Sequence, residues 1–126
     1  MKQVAKWTKE AGIEVRGSFL IGLPGETPEL ARKTVQNAID LDPDYAQFTT
    51  VCPYPGTALA KEIKEGKWGK LVTEDLEEYN CFKVTWLPEG YKSIAEMEKM
   101  QRYAYRKFLK YYFFLQFDRK QQIIRN

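Results

Sequence analysis

The residues of this 126-residue chain that could bind a ligand are concentrated in two loops rich in glycine and proline. The first loop is Gly22 to Thr27 (GLPGET), and the second loop is Cys52 to Thr57 (CPYPGT). Each loop ends in a threonine that can cap a helix, whose first free N–H groups suit an anion or a polar edge. Neither loop has the lysine of a phosphate-binding P-loop or the three-glycine dinucleotide pattern. The same spacing is also typical of tight strand-to-helix turns that bind nothing.

Few side chains of the chain are suited to acid–base or nucleophilic chemistry. There is no histidine, which excludes the commonest general base and every serine–histidine or cysteine–histidine scheme. Cys52 and Cys81 lack the C-x-x-C spacing of a zinc or iron–sulfur site, so this chain is not expected to hold a metal cluster by itself. With no histidine or basic neighbour to lower its pKa, Cys52 is expected to be a packing residue. Glu26 could bond an amine or hydroxyl of a ligand, or be a solvated charge at a helix start.

Composition and charge favour a soluble or peripheral protein of a reducing, cytoplasmic compartment. The formal net charge is only +3, and two cysteines do not make a disulfide framework. Residues 98–126 contain eight basic and two acidic side chains, which leaves a net charge of −3 for residues 1–97. The longest apolar run is far shorter than the ~20 residues of a membrane span. The C-terminal segment is therefore basic, whereas the rest of the chain is not.

The distribution of apolar residues predicts alternating strands and helices. A dense apolar stretch over residues 13–22 is typical of a strand buried on both faces of a parallel sheet. Thr27 can cap a helix from Pro28 to Leu41, and a second strand follows from Tyr45 to Val51. A crossover helix of this length makes the two strands parallel, which places the chain in the α/β class.

The last part of the chain combines aromatic and basic residues on a long helix. A capping box from Ser93 to Glu96 predicts where this helix begins. Its surface suits three partners: protein that packs on it, which we favour, then an anionic membrane surface, and least of all nucleic acid. The aromatic residues concerned are Tyr103, Tyr105, Phe108, Tyr111, Tyr112, Phe113, Phe114 and Phe117.

Three phrases of the sequence occur together, in this order, in one known family. They are GIEVRGSFLIGLPGET, DPDYAQFTT and PYPGT, and all lie between Ala11 and Thr57. This stretch resembles the later half of the barrel of radical S-adenosylmethionine enzymes, in the subclass with an N-terminal cobalamin-binding domain. The resemblance is greatest to the anaerobic magnesium-protoporphyrin IX monomethyl ester cyclase group. YAYRKF, residues 103–108, more loosely resembles the segment after the barrel.

The resemblance implies a fragment of a partial (β/α) barrel with a C-terminal helical extension. Residues 13–22 and 45–51 would be its fifth and sixth strands. In this family a three-cysteine motif holds a [4Fe–4S] cluster, which splits S-adenosylmethionine into methionine and a 5′-deoxyadenosyl radical. This chain contains neither that motif nor the first four strands, so Met1 is expected to be a boundary inside a longer protein, and the fragment alone to be inactive. Cobalamin is a further candidate cofactor, and a tetrapyrrole is a candidate substrate.

The same resemblance indicates which residues would receive the adenine and ribose of S-adenosylmethionine. They lie on the two strands and just past the second: Phe19, Ile21, Gly22, Gln47, Thr49, Val51, Cys52 and Pro53. Cys52 and Pro53 would offer backbone groups to the adenine edge. Gln47 and Thr49 are polar in a strand that is otherwise expected to be apolar, so they need partners, whether a ligand or neighbouring backbone.

The chain is thus divided into three predicted segments. Residues 1–66 would be the carboxyl-side part of the barrel, residues 67–92 an irregular or short-helical connection, and residues 93–126 the basic aromatic helix. The partner expected first is the N-terminal part of the same polypeptide. The alternative is a stand-alone α/β binding module that engages a partner protein or an anionic membrane surface through its basic helix.

Overall fold

A computed structural model describes the backbone of residues 1–125 and the side chains of residues 1–115. The predicted aromatic side chain of Phe117 lies outside the described side chains, as do the charged ones beyond it. The elements are α1 (Lys2–Glu10), β1 (Arg16–Ile21), α2 (Pro28–Leu41), β2 (Tyr45–Thr50), α3 (Ala58–Lys64), β3 (Gly69–Leu71), a short 3-10 helix (Leu76–Glu78), β4 (Trp86–Pro88) and α4 (Ile94–Arg125).

The first two strands form a parallel pair, as the sequence predicts. Their register runs from Arg16 opposite Tyr45 to Ile21 opposite Thr50. The connecting helix α2 packs on β1. The mixed α/β class, with a parallel two-stranded sheet, flanking helices and a C-terminal helix, is therefore confirmed.

Helix α2 begins and ends at the residues that its local signals predict. The Thr27 hydroxyl accepts a hydrogen bond from the Leu30 N–H at 3.4 Å, and Pro28 occupies the first turn. Asp42 ends the helix in the left-handed conformation, with φ of 51°. Its buried face, Ala31, Val35, Ala38 and Ile39, enters the core.

Only one face of β1 is buried, which corrects the expectation of a strand buried on both faces. Gly17 and Ile21 are buried, whereas Ser18 and Leu20 are exposed. Because side chains alternate along a strand, the exposed residues share the face that the helices do not cover. The apolar composition of the strand indicated burial, but it could not indicate what covers the second face.

The segment between residues 67 and 92 contains a second, antiparallel strand pair. β3 and β4 are three residues each, and Leu71 lies opposite Trp86. The same segment contains the 3-10 turn at Leu76–Glu78. Strands of three residues are too short to produce a periodic pattern, so the residue pattern does not predict them.

Helix α4 begins with the predicted capping box. The Ser93 hydroxyl accepts a hydrogen bond from the Glu96 N–H at 3.2 Å, and the Glu96 carboxylate accepts one from the Lys92 N–H at 2.7 Å. Met97, Ala104 and Phe108 join the core against α2 and β2. Across the described residues, no helix combines the length and apolar character needed to cross a bilayer. The division into three segments stays a prediction.

Candidate functional site

The first and second loops leave the sheet at the same edge. Ile21 and Thr50, the last residues of β1 and β2, lie opposite each other, and the Val51 N–H donates to the Ile21 carbonyl oxygen at 3.0 Å. In open α/β sheets, ligands bind outside the carboxyl ends of parallel strands, which is this edge. The two loops singled out by the sequence are therefore neighbours.

Glu26 is a buried anchor of the first loop. Its side chain is 5% exposed, and its Oε1 accepts hydrogen bonds from the Gly22 N–H and the Tyr91 hydroxyl, both at 2.7 Å. Burial, and then the neighbouring Glu26 carboxylate, raise the pKa of Tyr91 far above its usual value. The carboxylate is thus neither a solvated helix-start charge nor a group aimed at a ligand. It closes the first loop on itself and fastens it to the turn before α4.

Gly90 allows this turn to lie directly against the first loop. A Cβ placed at Gly90 would lie 2.0 Å from the carbonyl oxygen of Glu26, which is a severe steric clash. The backbones of the loop and the turn therefore approach as closely as a glycine permits. Together with the Glu26 contacts, this packing fixes the shape of the first loop.

The open face of the sheet carries the predicted polar residues of β2. Gln47 is exposed, lies opposite Ser18 in the register, and makes no side-chain hydrogen bond within the described part of the chain. Thr49 lies opposite Leu20 and is only 8% exposed, and Val51 is half-buried. The Gln47 amide can both donate and accept, as a purine edge or a ribose hydroxyl requires.

Phe19 and Ile21 lie on the opposite face of the sheet from Gln47. The Phe19 ring stacks on Phe48 with centroids 5.4 Å apart, and Ile21 is fully buried in the core. The resemblance predicts that residues of both strands receive the nucleoside, but the alternation of side chains divides these residues between two faces of the sheet. Gly22 is also buried, and its N–H is already bonded to Glu26. The side chains brought together on the open face are those of Gln47, Thr49 and Val51.

The second loop contributes Cys52 and Pro53 at the end of β2. Pro53 is buried, and the carbonyl oxygen of Cys52 accepts a hydrogen bond from the Tyr54 N–H at 2.9 Å. Thr57 caps α3 by accepting from the Ala60 N–H at 3.2 Å. Burial raises the pKa of the Cys52 thiol, which agrees with a packing role. The structure also brings Cys52 beside Cys81, a proximity that the sequence did not reveal.

A separate groove of about 480 Å³ lies between the beginnings of α2 and α4. Its lining includes the basic side chains Arg32, Lys92 and Lys99 beside Glu96. None of the eight predicted site residues lines it. Within the described residues, no three cysteine, aspartate or glutamate side chains are grouped so that they could hold a metal ion.

The sequence of this chain is similar to parts of two kinds of enzyme. No protein-family model matches the chain. An uncharacterized methyltransferase of Pyrococcus horikoshii is 52% identical over 54 residues, which are 43% of this chain and 12% of that protein. The anaerobic magnesium-protoporphyrin IX monomethyl ester cyclase of Rubrivivax gelatinosus is 28% identical over 116 residues, 92% of this chain and 20% of the cyclase. The cyclase of Cereibacter sphaeroides is 28% identical over 115 residues, 88% of this chain and 18% of its own length. The chain is thus similar to one protein described as a methyltransferase and to two described as cyclases. It spans a fifth of their length or less.

Proposed function

We propose that this chain forms the carboxyl-side part of the catalytic domain of a radical S-adenosylmethionine enzyme. The similarity to two cyclases extends over about nine-tenths of the chain, and it includes both loops at the sheet edge. The observation that supports the proposal most strongly is the difference between the two edges of the parallel sheet.

The outer edge of β2 is covered within this chain. The Phe48 N–H donates to the Tyr105 hydroxyl oxygen at 3.1 Å, and the Gln101 amide donates to the Phe48 carbonyl oxygen at 3.2 Å. Further along the strand, the Thr50 N–H donates to the carbonyl oxygen of Cys81 at 2.8 Å. Two side chains of α4 and one backbone carbonyl of the segment before β4 thus form hydrogen bonds with the backbone groups of β2 that would otherwise pair with another strand.

The outer edge of β1, in contrast, pairs with no strand within the described residues. The face beside it is also uncovered, with Leu20 45% exposed. An unpaired edge next to an apolar exposed residue favours the addition of further strands. In our proposal, the earlier strands of a barrel, from an N-terminal part of the same polypeptide, join the sheet at β1 and close over this face.

The role of this chain in the complete domain would be to bind and orient the nucleoside. S-adenosylmethionine and a [4Fe–4S] cluster ligated outside this chain would supply the radical chemistry on an unactivated carbon. Gln47 would bond a polar group of the adenine or ribose, beside Thr49 and Val51, while Cys52 and Pro53 would border the adenine edge. Phe19 and Ile21 would support the strand from the core side.

The finer assignments follow from the names of the relatives and remain part of the proposal. Two relatives are named as cyclases of a magnesium tetrapyrrole and one as a methyltransferase. We therefore propose a macrocyclic tetrapyrrole as the substrate class, with cyclisation as the outcome and methyl transfer as its competitor. Cobalamin is the further candidate cofactor.

The proposal is tested by the affinity for S-adenosylmethionine of the full polypeptide that contains this chain. Gln47→Leu should weaken binding about five- to tenfold, because one hydrogen bond to the ligand is lost. Gln36→Leu, the same change on the exposed side of α2, is the matched control and should change the affinity less than about twofold. Equal affinities of the Gln47 variant and the wild type, measured by anaerobic equilibrium dialysis, would contradict the proposed role of this face.

A second candidate function rests on the exposed aromatic residues of α4. Phe113 and Phe114 are 67% and 70% exposed and lie beside Lys110. A stand-alone binding module would use these residues to engage an anionic surface. It predicts salt-sensitive binding to phosphatidylserine vesicles that is lost when both phenylalanines are changed to serine. No binding to such vesicles would leave this second candidate without support.

A further inference from the structure

Two cysteines that are distant in sequence meet at the end of β2. Cys52 follows the strand, and Cys81 lies in the segment before β4. Both are anchored to Thr50. The Thr50 N–H and hydroxyl donate to the Cys81 carbonyl oxygen at 2.8 Å and 3.1 Å, and the Cys52 Sγ lies 4.0 Å from the Thr50 carbonyl oxygen.

The backbone at the end of β2 brings the two cysteines close together. Residues two apart in an extended chain point to the same side, so Cys52 follows the direction of the Thr50 side chain. The Thr50 hydroxyl contacts the backbone oxygens of both Cys81 and Lys83. The contact of the Cys52 Sγ with Thr50 and the hydrogen bonds of Thr50 to Cys81 therefore place the two cysteines at the same end of β2. Beyond the effect of burial, the Cys81 side chain is close enough to raise the pKa of the Cys52 thiol.

The surroundings of the pair favour contact between the thiols over contact with solvent. Both cysteines are half-buried. Burial raises the pKa of the Tyr54 and Tyr79 hydroxyls, and Cys52 lies near enough to both tyrosines to raise it further. Their ring centroids are 5.4 Å apart, and the Tyr54 hydroxyl donates to the Tyr79 carbonyl oxygen at 2.8 Å. Burial raises the pKa of the Cys52 thiol, the Thr85 hydroxyl opposes this, and the Cys81 thiol adds to it. The pair is thus partly shielded from solvent beside the second loop.

We infer that Cys52 and Cys81 form a dithiol that closes to an intramolecular disulfide when it meets an oxidised small-molecule disulfide. One protein thiolate attacks the small disulfide and releases one small thiol, which leaves a mixed disulfide on the protein. The second protein thiolate then attacks the protein sulfur of that mixed disulfide and releases the second small thiol. The protein loses two electrons and two protons, and both small thiols receive them.

The expected consequence is a reversible covalent tie between the end of β2 and the segment before β4. The two are already joined by the Thr50 hydrogen bonds to Cys81, so closure reinforces an existing contact. Neither thiol has a role in the proposed binding of the nucleoside, which uses only backbone groups of Cys52. The inference therefore stands or fails independently of the proposed function.

A thiol–disulfide titration of the full 126-residue chain tests this inference. The chain is equilibrated with reduced and oxidised glutathione, quenched with iodoacetamide and weighed intact by mass spectrometry. An internal disulfide has lost two hydrogen atoms and takes no alkyl group, whereas a mixed disulfide carries glutathione. The same titration in concentrated urea is the matched control, because it keeps the sequence separation and removes the folded geometry.

We expect the internal disulfide to dominate in the folded chain. The effective concentration of one thiol near the other should exceed the value in urea at least about tenfold, since folding has already closed the intervening loop. Cys52→Ser and Cys81→Ser should each yield only the mixed disulfide. An effective concentration that is no higher in the folded chain than in urea, or mixed disulfides without an internal one, would overturn the inference.

Discussion

Replacing Tyr91 with phenylalanine removes one of the two donors to the buried Glu26 carboxylate. The hydroxyl donates at 2.7 Å, and the two residues are only 4% and 5% exposed, so water has little access to replace it. A hydrogen bond to a charged group contributes about 1.5–3 kcal/mol. Because the Gly22 N–H remains as a donor, we expect Tyr91→Phe to lower the free energy of unfolding by about 2 kcal/mol.

Tyr103→Phe is the matched control for this change. It removes the same atom from a tyrosine on α4 that is 37% exposed and has no hydrogen-bond partner for its hydroxyl in the described part of the chain. Its effect should stay within about 0.5 kcal/mol. Urea unfolding, followed by the fluorescence of the chain's tryptophans and by far-ultraviolet circular dichroism, measures both variants. Equal losses for the two variants would refute the idea that the Glu26–Tyr91 bond fastens the first loop.

The pH dependence of the same variant provides a second readout. The pKa of Tyr91 is raised by burial and then by Glu26, so the folded chain keeps this proton above pH ~10, where an unfolded tyrosine loses it. Above that pH the folded state binds more protons than the unfolded state, and the stability that Tyr91 contributes declines as pH rises. The difference between wild type and Tyr91→Phe should be constant from pH 7 to 9 and shrink by about 1.4 kcal/mol for each pH unit above 10. A difference that stays constant to pH 11 would contradict this account of Tyr91.

Three further predictions concern the free energy of unfolding and are checked by the same urea titration. Gly90→Ala should cost about 3 kcal/mol because its Cβ would meet the backbone of the first loop, whereas Gly25→Ala, at φ of +73° with open space around it, should cost about 1 kcal/mol. Phe48→Ala should cost about 4 kcal/mol because the ring is fully buried, and Phe113→Ala, at 67% exposed, less than about 0.5 kcal/mol. Ser93→Ala should cost about 1 kcal/mol through loss of the α4 cap. Similar costs within either matched pair, or an unchanged stability of the Ser93 variant, would contradict the corresponding packing or capping role.

The elements that the sequence predicts well are those specified by neighbouring residues. Helix α2 lies where Thr27 and Pro28 place it, and α4 begins after Ser93, because capping acts within one helical turn. The second strand was predicted from Tyr45 to Val51 and ends one residue earlier, at Thr50. The parallel pairing followed from the length of the crossover helix, which is also a local property.

The features that the sequence could not reveal depend on contacts between distant residues. Glu26 accepts a hydrogen bond from Tyr91, which lies 65 positions later in the sequence. This contact explains why a charged loop residue is buried. Cys52 and Cys81 lie close together although nothing around either residue indicates the other. Phe19 and Gln47 are both predicted to receive the nucleoside, yet they lie on opposite faces of the sheet, because a residue pattern does not show which face of each strand the helices cover.

The measurement that tests the proposed function most directly is the formation of 5′-deoxyadenosine from S-adenosylmethionine. The polypeptide to use is the one encoded by the natural open reading frame that includes this chain, reconstituted anaerobically with iron and sulfide and reduced with dithionite. We predict an upstream Cys-x-x-x-Cys-x-x-Cys motif, together with 5′-deoxyadenosine and methionine that form only when reductant is present. A reading frame without that motif, or a reconstituted and reduced polypeptide that forms no 5′-deoxyadenosine, would contradict the assignment of this chain to a radical enzyme.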